Sequence, residues 1–264
     1  MLVLPASFAL AHFDRAANLA PGNWREASRE SVGLAPDPAL HTDAIVQVYA
    51  ARAVRWRGYF GVHTWIAAKP AGADAYSVYE VTRWNARRSG SMVSVSDRAP
   101  DGRWYGNAPI LLADIRGPAV DALIARVDAA VRAYPFADEY HVWPGPNSNT
   151  FTAHVLRQVP EIGADLPPTA IGKDYLDSGI VARSPSGSGM QLSLFGLLGA
   201  TLGIEEGLEL SLLGLHIGID PLDLGVRLPF AGNYSLLGDA GPVEHIDDEA
   251  AARQSALTPE TGRL

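Results

Sequence analysis

The sequence predicts an α+β fold, an antiparallel sheet packed with a few helices, with Gly/Leu-rich β-hairpins added on the C-terminal side. Three observations predict it. Short β-branched and aromatic runs separated by turn residues occupy 44–115, two stretches of helical periodicity fall between 118 and 158, and Leu/Ile alternation broken by frequent glycine fills 191–228.

Ala44–Tyr49 (AIVQVY) reads as a buried strand. From Tyr59 to Ala68 the alternation sets Phe60, Val62, Ile66 and Ala68 against Tyr59, Gly61, His63 and Trp65, so His63 lies opposite the most apolar stripe. A Pro-Ala-Gly turn then leads to Tyr76–Trp84 (YSVYEVTRW), whose content suits the partner strand of a hairpin. Further strands are expected at Met92–Ser96 and Ile110–Ile115.

Between Pro118 and Tyr134, Val120, Leu123, Ile124, Val127 and Val131 recur at helical spacing, and Pro118 suits a first turn. Asp121 and Asp128 fall off that stripe and are expected to face solvent. A second helix is expected from Asn147 or Ser148 to Gln158, stopped by Pro160. Ser184–Gly189 reads as a linker, and 191–228 as short turning hairpins. The organisation expected is an N-terminal arm over 1–43, one α+β domain over 44–237, and an acidic, flexible tail over 238–264.

With 264 residues, 47% hydrophobic and 19% charged, the chain has the composition of a folded protein. Its formal charge of −8 is local in origin: residues 1–158 carry 16 basic and 14 acidic side chains, the remainder 5 and 15. Basic residues are scattered among Trp and Ala, which argues against a nucleic-acid partner. The lack of cysteine excludes disulfides, thiolate metal ligands and a thiol nucleophile. Met1–Phe13 is apolar and ends in Ala9-Leu10-Ala11 without a basic start, so the remnant of an export signal or anchor and an unstructured terminus both stay open. This favours a cell-envelope location, inner-membrane-associated or periplasmic, over a cytoplasmic one. No P-loop, HExxH, dinucleotide fingerprint or GxSxG pattern occurs, and neither cofactor nor metal is expected.

The most informative stretch is His141-Val-Trp-Pro-Gly-Pro-Asn-Ser-Asn-Thr-Phe151. A rigid Pro/Gly turn delivers three good capping residues, Asn147, Ser148 and Asn149, to a helix start. A serine there could draw on free amides and the helix dipole to hold an oxyanion. Serine needs a base, and His63 is the candidate, with Glu80 on the partner strand, Asn147 or Asn149 as candidates for orienting its ring. The alternative is that Ser148 is a helix cap and His63 an ordinary strand histidine. Trp65, Trp84, Trp143 and Tyr59 are the candidate substrate-binding aromatics, within a wider set that includes Trp56 and Trp104.

The segments VQVYAARAVRWRGYFGVHTWIAAKP, YEVTRW and WPGPNSNTFTAHVLRQVPEIGADLPPTAIGKDYL, spanning Val46–Tyr175, resemble the bacterial family called domain of unknown function 3750, which carries no established activity. More remotely, His63 followed by Asn147-Ser148-Asn149-Thr150-Phe151 resembles circularly permuted papain-like proteins of the lecithin retinol acyltransferase and deSUMOylating isopeptidase type. Those proteins place a histidine on an early strand and Asn-Cys-x-x-Phe at a helix start. The resemblance implies a permuted papain-like core and hydrolase-like chemistry, but serine stands where they have cysteine.

Two functions from different classes follow, and whether the chain is an enzyme stays open. One is a serine-dependent amidase, peptidase or acyl transferase using Ser148 and His63. The other is a non-catalytic module binding a peptide, a small molecule or a cell-envelope polymer. Peripheral membrane contact through the hairpins of 191–228 is a further expectation, and oligomeric state is left undetermined.

Overall fold

The computed structural model describes residues 25–236 and the backbone of 243–245. It is an α+β structure with two antiparallel-type sheets. The first has the order β13-β5-β1-β2-β3-β4, built from β1 (Ile45–Arg52), β2 (Val62–Lys69), β3 (Ser77–Val81), β4 (Val93–Ser96), β5 (Ile110–Arg116) and β13 (Val243–His245). All neighbours are antiparallel except β13, which runs parallel to β5. That short strand falls within the stretch expected to be a flexible tail. The rest of that tail, like the apolar N-terminus, lies outside the described residues.

Alternation along β1 and β2 gives this sheet two buried faces. On one, Val46, Val48, Ile66 and Ala68 meet two helices, α2 (Val120–Arg132) and α3 (Ser148–Gln158), which contribute Leu123, Val127, Phe151 and Val155. Asp121 and Asp128 lie off the apolar stripe as expected, and they also bond: Asp128 accepts from the Tyr79 hydroxyl at 2.8 Å and Asp121 from the Ala71 amide at 3.1 Å. On the other face, Ile45, Tyr49, Trp65, Val78 and Trp104 form a second core. The arm covers it, held by an antiparallel bridge from Ser31 to Gly102 and by Asp101, which accepts from the Ser31 hydroxyl and the Leu34 and Ala35 amides. Position 102 has to be glycine here, because a Cβ would sit 2.8 Å from the Arg29 carbonyl oxygen.

The Tyr59–Ala68 strand starts later than its alternation suggests. Arg55–Tyr59 is a 3-10 turn, closed by the Phe60 and Gly61 amides onto the Arg57 carbonyl, and only from Val62 does the chain extend. A one-turn helix, α1 (Ala86–Ser89), separates β3 from β4.

The second sheet is a seven-stranded meander: β6 (Val181–Arg183), β7 (Gly189–Leu194), β8 (Leu198–Gly203), β9 (Gly207–Leu212), β10 (Leu215–Asp220), β11 (Gly225–Leu228) and β12 (Gly232–Ser235), in sequential order. Ser184–Gly189, read as a linker, is the turn between β6 and β7, closed by the Ser184 amide on the Gly189 carbonyl. Its alternation is inverted relative to an ordinary half-buried sheet. Gln191, Ser193, Thr201, Glu209, Ser211 and His216 are buried, while Leu192, Leu194, Leu208, Leu210, Leu212 and Ile217 are exposed.

Ion pairs hold the inner, polar face. Lys173 Nζ donates to Glu209 at 2.9 Å, His216 Nδ1 lies 3.2 Å from the same carboxylate, and the Ser211 hydroxyl donates to Asp174 at 2.8 Å. Burial acts to raise the Glu209 carboxyl, but Lys173 and His216 outweigh it and hold it well below the usual carboxylate range. A group depressed in the folded state contributes stability above its unfolded pKa and loses it as pH falls through the folded one. Glu209→Ala, which strands a buried lysine, is therefore expected to cost about 3–5 kcal/mol in urea unfolding at neutral pH. The gap from the parent protein should narrow as the pH drops below about 4.

Candidate functional site

A cavity of about 460 Å³ opens at the end of the first sheet where β2 begins and β3 ends. Its wall includes Arg57 and Phe60 from the 3-10 turn, His63, Arg83 and Trp84 beside the strand ends, Trp104 from the covering loop, Tyr140 and Trp143, and Asn147–Asn149 at the mouth of α3.

The first turn of α3 is fixed by its cap. Asn147, extended at the N-cap, accepts from the Asn149 and Thr150 amides, and the Thr150 hydroxyl accepts from the Asn147 amide. The Asn147 amide group donates to the Val142 and Ile171 carbonyls, the Asn149 amide group to Val62 and Ile171. The peptide bonds Trp143-Pro144 and Gly145-Pro146 are both cis. Ser148 is thus the first helical residue, and the cap is Asn147. Two of the amides that might have faced an oxyanion are occupied by the Asn147 side chain, leaving that of Ser148. The Ser148 hydroxyl has no hydrogen-bond partner among the described residues.

His63 is fixed differently. Its Nε2 lies 2.8 Å from Glu80 Oε2, its ring stacks on Trp104 at 3.7 Å between centroids and 11° between planes, and Arg98 bonds the same carboxylate at 3.3 and 3.4 Å. The Arg98 guanidinium in turn covers Trp65 at 4.7 Å. Burial acts to raise the Glu80 carboxyl, but the His63 hydrogen bond and the Arg98 charge outweigh it and hold it at about 2. Burial lowers the His63 pKa, against the opposing pull of Glu80. An ionised carboxylate only accepts, so a neutral ring must donate from Nε2 and keep its lone pair on Nδ1.

Of the three candidates for orienting the ring, the structure therefore brings Glu80 to it. Asn147 and Asn149 bond to backbone and Thr64 instead. His63 and Ser148 share the cavity wall, but no hydrogen bond joins them among the described residues. The reason lies in strand alternation. Thr64 faces α3 and donates to the Asn149 side chain at 3.0 Å, with the Ser148 carbonyl at 3.4 Å, so the preceding residue, His63, turns to the opposite face with Trp65 and Trp104.

Among the expected binding aromatics, Trp84 and Trp143 line the cavity and are about half exposed, 48% and 52%. Trp65 does not: it is fully buried, stacked on Tyr49 at 5.7 Å and donating from Nε1 to the Pro100 carbonyl at 2.7 Å, because the arm and covering loop close over that face. Tyr59 lies in the 3-10 turn and also stands outside the wall. Sequence reasoning missed Arg57, Arg83, Tyr140 and Ile171 as wall residues. Three of them sit in turns or loops without periodic signal, and Arg83 lies in the turn two residues beyond β3. Both arginines act on the Tyr140 hydroxyl, opposing the upward push of burial, which places two positive charges around it. Among the described residues, no group of three or more His, Asp or Glu side chains is placed to hold a metal ion.

The sequence profile of a family described as "Protein of unknown function (DUF3750)" matches residues 43–175. The chain belongs to this family. The match takes in β1–β5 of the first sheet, α2, α3 and the cavity wall from Ala53 to Ile171, and stops before β13 and the second sheet. No curated protein and no solved structure matches the chain.

The electrostatics of the site can be read directly. In a pH titration of ring carbon-bound protons by NMR, His63 is expected to titrate below the ordinary histidine value of about 6.5. Glu80→Ala should lower it further, because it removes the one partner that favours the charged ring. Since the unfolded chain would bind that proton more readily, His63 withdraws stability as pH falls below the ordinary value.

Proposed function

We propose that this chain is a non-catalytic binding module whose aromatic cavity holds a peptide-bearing cell-envelope ligand. The observation behind this reading is the wall itself: half-exposed Trp84 and Trp143 flank a cavity large enough for a small ligand, with Arg57 and Arg83 at its rim. Indole faces stack on sugar rings and planar groups, and guanidinium groups pair with carboxylates. Muropeptides, which join sugar rings to acidic peptides, carry both. Apart from the Ser148 hydroxyl and the Nδ1 lone pair of His63, much of the polar wall is already engaged: His63 Nε2 with Glu80, Asn147 and Asn149 with backbone, and the Asn149 and Thr150 amides with the cap. Such a wall is pre-formed and needs little ordering on binding.

Titration with soluble muropeptides, the free disaccharide and the free acidic peptide, followed by tryptophan fluorescence, tests this. The muropeptide is expected to bind most tightly. Trp84→Ala and Trp143→Ala should each weaken binding by about tenfold, in line with 1–2 kcal/mol for an interfacial aromatic. Ser148→Ala should leave it unchanged. Equal, unsaturable responses to all three probes would reject the reading.

One observation supports a second reading, serine-dependent acyl transfer or hydrolysis on a permuted papain-like scaffold. The Ser148 hydroxyl stands without a partner in the wall of a cavity that also holds an imidazole with an unshared lone pair. On this reading a fluorophosphonate probe labels Ser148, and His63→Ala abolishes labelling as seen by intact-protein mass spectrometry. On the binding reading the folded parent protein stays unlabelled.

A further inference from the structure

The second sheet is built inside out. Its polar face is sealed against the rest of the chain by ion pairs, while Leu192, Leu194, Leu208, Leu210, Leu212 and Ile217 stand exposed on the other. At about 4.8 Å per strand and 3.4 Å per residue, the four six-residue strands β7–β10 make an apolar face of roughly 20 by 20 Å. That falls within the range of about 300–600 Å² for the largest apolar patch on a monomer, a patch that is often functional.

We infer that this face is a docking surface for the hydrocarbon of a lipid bilayer, on which the protein lies as a monotopic guest. Charge is the first argument. The outward positions of β7–β10 carry only apolar side chains, aliphatic apart from Met190, and no charged group, so they enter hydrocarbon without desolvating an ion. Protein interfaces, by contrast, draw on aromatic, arginine and hydrogen-bonding anchors that fix orientation; the strands β7–β10 present none outward, and Arg183 and Tyr234 stand on the flanking strands β6 and β12.

The turn tips are the second argument. Phe195 and Leu213 adopt φ of 55° and 53°, a conformation that Asn or Gly fills at least strain, and each is more than half exposed. Immersion in lipid removes the cost of holding these apolar side chains in water, although not the backbone strain, and Leu224, with φ of 49° and more than half exposed, extends the apolar surface to the opposite turns. The acidic rim residues Glu205 and Asp223 lie at the opposite end of the strands, where they would remain at the headgroups.

With no basic cluster on the face, attachment should depend on apolar area and not on anionic lipid. The full chain is expected to float with phosphatidylcholine vesicles in a density gradient, with no gain from added phosphatidylglycerol and no loss at high salt. Leu210 and Ile217 are a cross-strand pair at the centre of the face, and the double change Leu210→Glu, Ile217→Glu should abolish flotation. In the parent protein, exposed Met190 should become protected from peroxide oxidation on vesicles, a readout that needs no variant. Protein that stays at the bottom of the gradient with unprotected Met190 overturns the inference. So does a concentration-dependent dimer in vesicle-free solution that the double change dissociates, since the face would then be a contact between two copies.

Discussion

Everything at the cavity depends on how the first turn of α3 is stitched to β2. The Asn149 side chain donates to the Val62 and Ile171 carbonyls and accepts from Thr64, while Asn147 caps the helix and reaches Val142 and Ile171. These bonds bury four consecutive polar residues, Asn147 to Thr150, that would otherwise be strongly unfavourable in a core. They also commit β2 to one orientation. Once Thr64 is the side chain that meets the helix, period-two alternation sends His63 to the other face. No adjustment of rotamers reverses that, because a one-residue slip would turn Trp65 and Ile66 out of their cores.

His63 accordingly belongs to a separate network. Trp104 stacks on its ring, Glu80 accepts from Nε2, and Arg98 neutralises Glu80 while lying over Trp65. Each member explains a neighbour's burial: the carboxylate is tolerated because Arg98 and the imidazole face it, and the imidazole stays neutral because burial disfavours its charge. Such an arrangement makes a rigid wall. It equally resembles the way a catalytic base is held in one tautomer, and for this reason a direct test of Ser148 reactivity discriminates between the two functional readings.

Much of the fold could be read from sequence because periodicity reports burial. The strands of the first sheet and both long helices have core faces of ordinary hydrophobic spacing, and Val120 to Val131 or Ile66 and Ala68 announce them. The hairpins of 191–228 were also visible as hairpins. Their inversion was not, since Leu208-Glu209-Leu210-Ser211-Leu212 alternates identically whichever side is buried. Only the positions of Lys173, Asp174 and Arg157, which come from other segments, show that the polar side faces in. The site was legible to the same degree. Glu80 could be named from the partner strand, and Trp84 and Trp143 from their neighbourhoods. The burial of Trp65, however, depends on a loop some 35 residues away that accepts its indole hydrogen bond, and the identity of the cap depends on one residue of register at Asn147.

The cavity rim is tied to the second sheet by a contact that bears on function. Trp143 Nε1 donates to the Leu213 carbonyl at 2.8 Å, tying the cavity rim to the tight turn between β9 and β10. That turn can come so close only because position 214 is glycine with φ of 75°; a Cβ there would lie 3.1 Å from Ile171 and 3.2 Å from Trp143 Nε1, both of which are wall residues. The segment matched by the family profile therefore supplies most of the cavity, yet a hairpin beyond that segment helps hold its rim in place. The half-exposed indole of Trp143 and the leucine that precedes Gly214 are thus neighbours, joined by one hydrogen bond between the cavity rim and a tip of the apolar face.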